Sequence, residues 1–179
     1  MDEDLQQYKR WRVRRQLHQH LLVARQLSYF HLQPNRSPDA TYLLKSLQGF
    51  MDKGIIAYAI GIQNEPGYGD PTYPTCKFTP TQEANVGKAL RSLMDSNGFG
   101  GTKIIAYEHN WDGGQQPIQI LEEAASQFAG AAFHCYAGNV AQQNDFQTAF
   151  PSKEVYLTEC SGIFSPDWWG HIKWWTDNL

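Results

Sequence analysis

From about residue 40 onward, two spacings of apolar residues alternate along the chain. Stretches in which apolar residues recur every three or four positions are separated by short apolar runs with few polar interruptions. The first spacing is typical of amphipathic helices, and unbroken runs are typical of strands covered on both faces. Their alternation indicates βαβ units, so the sequence predicts an α/β fold around a parallel sheet.

Four strands are predicted, and each ends in polar residues. They are Ile56–Gln63, Lys103–Tyr107, Ala131–Tyr136 and Val155–Thr158. The first belongs to the apolar stretch IIAYAIGIQNEP, which stops at Glu65 before Pro66. Proline lacks an N–H donor and keeps the residue before it extended, so pairing is expected to end there. Glu159 directly follows the fourth strand, so it is a second glutamate at the end of an apolar strand.

Helices are predicted between these strands. The first has one apolar face and ends at Gly54, a residue suited to a C-terminal cap. The second begins with a capping box, in which Thr79 is the N-cap, Pro80 the first helical residue and Gln82 the reciprocal partner. Later helices are expected from Pro117, over 140–149 and from 165. Three of these helices have a predicted inward face. The residues are Leu43, Leu44, Leu47, Phe50 and Met51 on the first helix, Ile118, Leu121, Ala125 and Phe128 on the helix from Pro117, and Trp168, Ile172, Trp175 and Leu179 on the last helix.

Residues 1–38 have a different composition and are predicted to form a basic helical or disordered segment preceding a domain over 39–179. They hold seven of the 15 lysines and arginines and contain no glycine. A basic amphipathic helix that binds a membrane or a protein partner is an alternative function for this segment.

Composition narrows the possible functions of the whole chain. The formal net charge of −3 argues against a general nucleic-acid binder. No apolar run reaches the length of a transmembrane helix, and the opening Met-Asp-Glu-Asp is unlike a signal peptide. No obligate protein partner is indicated. Among the three cysteines, Cys135 and Cys160 are predicted to be small buried residues, and no metal or cofactor site is expected.

The polar strand ends suggest chemistry on sugars. Each glutamate alone would ordinarily be a solvated loop acid, and each histidine an ordinary hydrogen-bonded side chain. In a parallel α/β fold, however, all strand ends meet at one rim, which is where such folds place their active sites. Glycoside cleavage needs one carboxyl group to protonate the leaving oxygen and a second to attack or to activate water. Glu65 and Glu159 are therefore the candidate pair.

Four motifs carry a family resemblance, each at a predicted strand end: IGIQNEPGY, AYEHNWD, FHCYAGN and KEVYLTECSG followed by DWWGHIKWW. Over about residues 42–179 the chain resembles glycoside hydrolase family 30, in particular its fungal endo-β-1,6-glucanases and glucosylceramidase-like enzymes. The resemblance implies a partial (β/α)8 TIM barrel covering roughly strands four to seven, with an extra N-terminal helical segment. Strands one to three and eight are not recognised, so we expect an open sheet that keeps both glutamates on one rim.

The resemblance also implies roles for individual residues. Glu65 would be the acid/base and Glu159 the nucleophile of a retaining hydrolase, with their carboxyl groups about 5 to 5.5 Å apart. Asn64 would bind the sugar 2-hydroxyl, and Tyr136 would orient the nucleophile. The remaining expected subsite residues are His109, Trp111 and His134.

Two questions of function stay open at the level of sequence. The substrate is expected to be a β-glucan or a glucosylated lipid, and the protein to be extracellular as in the family. The alternative to an active enzyme is a truncated, catalytically defunct remnant that binds carbohydrate.

Overall fold

The structure is a computed structural model that describes residues 21–22, 37–70, 72, 75–161, 167, 169–170 and 172–173. In this part of the chain, five strands form one sheet in sequential order, and every neighbouring pair is parallel. The strands are β1 (Leu21–Leu22), β2 (Ala59–Gly61), β3 (Lys103–Asn110), β4 (Gly130–His134) and β5 (Glu154–Glu159). The helices are α1 (Ser37–Met51), α2 (Pro80–Ser96), α3 (Gln115–Ala124) and α4 (Gln143–Ala149), with 3-10 turns at Trp111–Gly113 and Val140–Gln142. The predicted parallel α/β fold is confirmed.

The main core lies between the helices and the sheet. Side chains from all four helices and from β2, β3 and β4 form one buried cluster, which includes Leu47, Leu90, Leu121, Phe133 and Phe146. A second, smaller cluster of Ala59, Ile105 and Ala132, with Tyr156 against it, comes from the next positions along the strands. Successive residues of a strand point to opposite faces, so the two clusters mark the two faces of the sheet. The face away from the main core carries two alanines beside the larger Ile105 and Tyr156.

Helix α2 begins as its capping sequence predicts. The Thr79 side chain accepts the Gln82 amide at 3.2 Å, and the Gln82 side chain accepts the Thr79 amide at 3.0 Å. These bonds satisfy N–H groups that the first turn of a helix leaves without partners. Gly54, at φ +76°, closes the turn after α1, as expected of a residue without a Cβ.

A bulge interrupts β3 near its end. The register with β4 shifts between Tyr107 and His109, and Tyr107 and Glu108 have φ values of +81° and +53°. Ala106 and Tyr107 consequently both join the main core, although consecutive strand residues normally face opposite sides. The bulge thus changes which side chains β3 presents at its end.

Several predicted boundaries and faces differ from the structure. Strand β2 is shorter than predicted because only Ala59–Gly61 pairs with β3. Ile55 and Ile56 precede this pairing and are 37% and 72% exposed, so the prediction that they are buried is wrong. Phe50 and Met51 are likewise exposed at the end of α1.

The two ends of the chain are described only in part. Leu21 and Leu22 pair in parallel with Ala59 and Ile60, so at these two residues a strand replaces the predicted helix or disorder. The pairing covers an edge of β2 that would otherwise expose backbone groups. The remainder of the 1–36 segment, and Trp168, Trp175 and Leu179 of the predicted last helix, lie outside the described residues. Ile172 is described and exposed rather than packed on the sheet.

No helix in the described part of the chain is both long and apolar enough to cross a membrane.

Candidate active site

The carboxyl ends of β3, β4 and β5 meet in register. Asn110 pairs with His134, and His134 pairs with Glu159. Glu65 follows β2 and is tied to the same edge because its amide donates to the Glu108 carbonyl oxygen at 2.9 Å. The structure therefore brings the two predicted carboxylates to one edge of the sheet.

Glu65 lies between two histidines. Its Oε1 is 3.0 Å from Nδ1 of His134 and 3.8 Å from Nδ1 of His109. The first distance is that of a hydrogen bond, whereas the second is only an electrostatic contact. The Glu65 side chain is 22% exposed, so it is held on one side by protein and open on the other. An acid in this position can exchange a proton with a bound molecule.

Asn64, which immediately precedes Glu65, has a buried side-chain oxygen. Among the described residues, Asn64 Oδ1 has no hydrogen-bond partner. Because a buried polar atom without a partner costs free energy, it favours a ligand that supplies one.

The surroundings shift the pKa values of the two histidines in opposite directions. Burial lowers the pKa of His134, but the carboxylates of Glu108 and Glu65 and the charge of Glu159 act against it, and the net pKa is raised. Burial lowers the pKa of His109, and the charge of Glu65 does not fully offset this. His134 is therefore the imidazole that favours the cationic form, while His109 favours the neutral one.

Glu159 is held by a tyrosine from the neighbouring strand end. The Tyr136 hydroxyl is 3.2 Å from Glu159 Oε1 and 3.1 Å from Ser161 Oγ. Burial and the charge of Glu159 raise the pKa of Tyr136, while the bond with Ser161 lowers it, with a net rise. Tyr136 thus stays protonated and donates to the carboxylate. Its backbone is fixed by a 3.0 Å bond from its amide to Asn110 Oδ1.

A third carboxylate, which the sequence did not reveal, lies under this edge. Glu108 is fully buried and accepts the Thr158 hydroxyl at 2.6 Å. Its Oε2 is also 3.8 Å from His134 Nε2. Simple alternation would turn Glu108 away from the face that carries Ile105, and only the bulge reverses this. Gly61 makes room, since a Cβ there would lie 2.6 Å from Glu108 Oε1.

Trp111 is not on the open side of the site. Its side chain is 2% exposed and stacks on Phe133 with the ring centroids 4.8 Å apart. The 3-10 turn after β3 places it in the main core. The ring face is covered by Phe133, so a contact of Trp111 with a sugar stays a prediction that depends on its buried Nε1, which has no hydrogen-bond partner among the described residues.

The cysteines differ from the prediction. Cys135 and Cys160 form a disulfide, with their Cα atoms 5.2 Å apart, rather than remaining two buried thiols. Cys135 precedes Tyr136, and Cys160 follows Glu159. The strand register brings together two cysteines that are 25 positions apart in sequence, so the bond fixes Tyr136 and Glu159 relative to each other.

Three side chains are close enough to surround a cation. Glu65, His109 and His134 each offer one ligand atom, and these atoms lie within 4.8 Å of one another. Their sequence positions have no recognised metal spacing, so no metal site was predicted. A cation bound there would replace the bond between Glu65 and His134, which already pairs two of the three atoms.

No protein-family profile matches the chain. Two curated relatives are fungal endo-1,6-beta-D-glucanases. That of Trichoderma harzianum is 34% identical over 124 residues, which is 68% of this chain and 25% of the relative. That of Neurospora crassa is 36% identical over 129 residues, which is 68% of this chain and 26% of the relative. The chain thus spans about a quarter of the length of the curated relatives it matches.

Solved structures give a consistent result. The endo-beta1,6-glucanase BT3312 is 32% identical with a TM-score of 0.67, over 76% of this chain and 32% of that one. The catalytic domain of GH30 xylanase C from Talaromyces cellulolyticus is 26% identical with a TM-score of 0.51, over 57% of this chain and 24% of that one. The resemblance predicted from the four strand-end motifs is confirmed: over the part that matches, the chain is similar to glycoside hydrolase family 30.

Proposed function

We propose that the chain acts on β-linked glucose as a retaining β-glycosidase, with Glu159 as the nucleophile and Glu65 as the acid/base. One observation carries the proposal: two carboxylates share the edge of the sheet, and each is held by a different partner. Tyr136 donates to Glu159, and His134 contacts Glu65. Different partners suit the two different tasks that double displacement requires.

The proposed reaction has two steps. Glu159 attacks the anomeric carbon while Glu65 gives its proton to the departing glycosidic oxygen, which leaves a covalent glycosyl-enzyme. A water molecule then attacks the same carbon, Glu65 takes its proton, and Glu159 is released as a carboxylate. The Tyr136 hydroxyl keeps Glu159 aimed before attack and after release.

The substrate we propose is β-1,6-glucan rather than a glucosylated lipid. Sequence motifs alone left both open, and the curated relatives are named endo-1,6-beta-D-glucanases. Asn64 and His109 are proposed to bind the sugar at the cleaved bond, and the buried His134 is proposed to act on it through Glu65. Asn64 Oδ1, which has no hydrogen-bond partner among the described residues, supports a contact with a hydroxyl group.

An extracellular location is proposed as well. The disulfide between Cys135 and Cys160 supports it, because such bonds persist in oxidising compartments and are rare in the cytosol.

Hydrolysis of β-1,6-glucan followed by proton NMR tests the activity and the mechanism together. We expect glucose-containing products whose first-formed anomer is β, with β-1,3-glucan and glucosylceramide left intact. Glu159→Gln should abolish product formation, whereas the matched exposed-residue variant Glu122→Gln should not change it. A first-formed α anomer would contradict the retaining mechanism. Oligosaccharide binding without hydrolysis by the unmodified chain would favour the alternative of a carbohydrate-binding remnant.

A further inference from the structure

Glu83 is a buried acid outside the edge that carries the candidate catalytic residues. It lies in the first turn of α2, in the layer between the helices and the sheet, and is 1% exposed. Its Oε1 accepts the backbone N–H of Tyr107 at 2.7 Å. A buried carboxyl group is costly unless it is hydrogen-bonded, so the bond from the Tyr107 amide offsets part of the cost of burying Glu83.

The Glu83 side chain contacts β3 at the point where the strand departs from regular geometry. Tyr107 is the first of two consecutive residues of β3 with positive φ, and the register with β4 shifts beside it. Residues with a Cβ rarely adopt this conformation unless their surroundings impose it. Glu83 supplies an acceptor aimed at the amide of the first bulged residue.

The bulge in turn supports Glu65. The carbonyl oxygen of Glu108 accepts the Glu65 amide at 2.9 Å. The side chain of Glu108 reaches Thr158 at 2.6 Å and lies 3.8 Å from His134 Nε2. Two hydrogen bonds, joined by the backbone of Tyr107 and Glu108, thus connect Glu83 in the helix layer to the candidate acid/base Glu65.

A second path leads from the bulge towards the candidate nucleophile. The Tyr107 hydroxyl donates to the Asn110 carbonyl oxygen at 2.6 Å. The Asn110 side chain accepts the Tyr136 amide at 3.0 Å, and Tyr136 contacts Glu159. Both halves of the candidate site therefore depend on the same two residues of β3.

We propose that Glu83 is a positioning residue: by holding the Tyr107 amide it keeps the β3 bulge in the conformation that aligns Glu65 and Glu159. This inference rests on the proposed glycosidase function for its kinetic consequence but not for its structural one. Burial raises the pKa of Glu83 to about 8, with the Tyr107 amide lowering it and the charge of Glu108 raising it. The group therefore has a titration that can be followed near neutral pH.

Three variants separate positioning from a general loss of stability. Glu83→Gln keeps an oxygen acceptor of the same shape, and Glu83→Leu removes it. Leu90→Ala, a fully buried position two turns along the same helix, is the matched destabilising control. The amide proton of Tyr107 in NMR spectra measures the hydrogen bond directly, and kcat and KM on β-1,6-glucan measure its effect on the reaction.

In the unmodified protein we expect the Tyr107 amide resonance to lie downfield and to shift with pH near the pKa of Glu83. Glu83→Gln should keep the downfield position, lose the pH dependence and hold kcat within about threefold. Glu83→Leu should lose the downfield position and lower kcat by about 10- to 100-fold with a smaller change in KM, because sub-ångström displacement affects chemistry more than binding. Leu90→Ala should leave the resonance and kcat near their original values.

An unshifted Tyr107 amide in Glu83→Leu, or a kcat loss in Leu90→Ala equal to that in Glu83→Leu, would overturn the proposal. If Glu83→Leu does not fold, the pH titration of the Tyr107 amide in the unmodified protein and its loss in Glu83→Gln still decide the matter. A chain that lacks hydrolysis but shows both NMR results would reject the proposed function and retain the hydrogen bond between Glu83 and β3.

Discussion

Nδ1 of His134 lies 3.0 Å from Oε1 of Glu65, and the His134 side chain is wholly buried. Its other ring nitrogen is 3.8 Å from Glu108. An imidazole between two carboxylates is stabilised as a cation, which agrees with its raised pKa. One buried ring therefore links the candidate acid/base to a carboxylate beneath the sheet edge.

The two glutamates should respond differently to the leaving group. Glu65→Gln is expected to lower kcat on β-1,6-glucan by about 10²- to 10⁴-fold, the usual value of general acid catalysis. With aryl glucosides of acidic phenols, the first step should lose little rate in Glu65→Gln, because the phenolate leaves without being protonated. Glu159→Gln should abolish activity on both substrates. Burst kinetics and a leaving-group series measure the rate of the first step, and an equal loss of that rate on both substrates in Glu65→Gln would contradict the role of Glu65 as the acid.

Tyr136→Phe tests the hold on Glu159. Tyr136 is 40% exposed, so solvent weakens its bond, and we expect a loss in kcat of about three- to tenfold. Tyr42→Phe, an exposed tyrosine on α1, is the control and should not change kcat. An unchanged rate in Tyr136→Phe would show that the hydroxyl does not orient the nucleophile.

Loss of the disulfide should weaken both the fold and the site. A bond that closes a loop of this size is worth about 3 kcal/mol in the free energy of unfolding, which Cys160→Ser should remove. Activity should fall as well, because Cys160 follows Glu159. Guanidinium unfolding with and without a reductant measures the first effect. Cys76 lies outside the disulfide, so Cys76→Ser should leave the free energy of unfolding unchanged. An equal loss in this variant would argue against a specific role for the bond.

Glu83 should make the folded protein less stable as the pH rises. Its pKa is about 8 in the folded protein, above the ordinary 4.5, because it is buried. A carboxyl group with a raised folded pKa stabilises the fold fully below its unfolded pKa and loses that contribution as the pH rises through its folded pKa. The free energy of unfolding should therefore fall between about pH 4.5 and 8. Glu83→Gln should flatten this slope in urea titrations, whereas a slope identical to that of the unmodified protein would exclude Glu83 as its source.

Gly61→Ala should disturb Glu108 from the neighbouring strand. The added methyl would lie 2.6 Å from Glu108 Oε1, which is too close. We expect a loss of about 1 to 3 kcal/mol, as for other overpacked sites, together with lower activity. Gly49→Ala adds a methyl with nothing within 4 Å and serves as the control. Tolerance of alanine at 61 would indicate that Glu108 moves freely.

The alternation of helices and strands, and the residues that stand at the strand ends, follow from the amino-acid sequence alone. The capping box at Thr79 and the turn at Gly54 follow from local chemistry, and both are as predicted. Glu65 and Glu159 could be located because parallel strands place their carboxyl ends on one edge, whatever the details of packing.

Other features depend on contacts between residues distant in sequence, so they become visible only in the folded chain. The pairing of Cys135 with Cys160 follows from the register of β4 and β5. The motif that contains Trp111 suggests an aromatic residue that binds a ligand, yet the turn after β3 buries its ring against Phe133. Glu108 faces the site because a bulge reverses the alternation of β3, and that bulge is held by Glu83, an acid 24 positions earlier in a different layer of the fold.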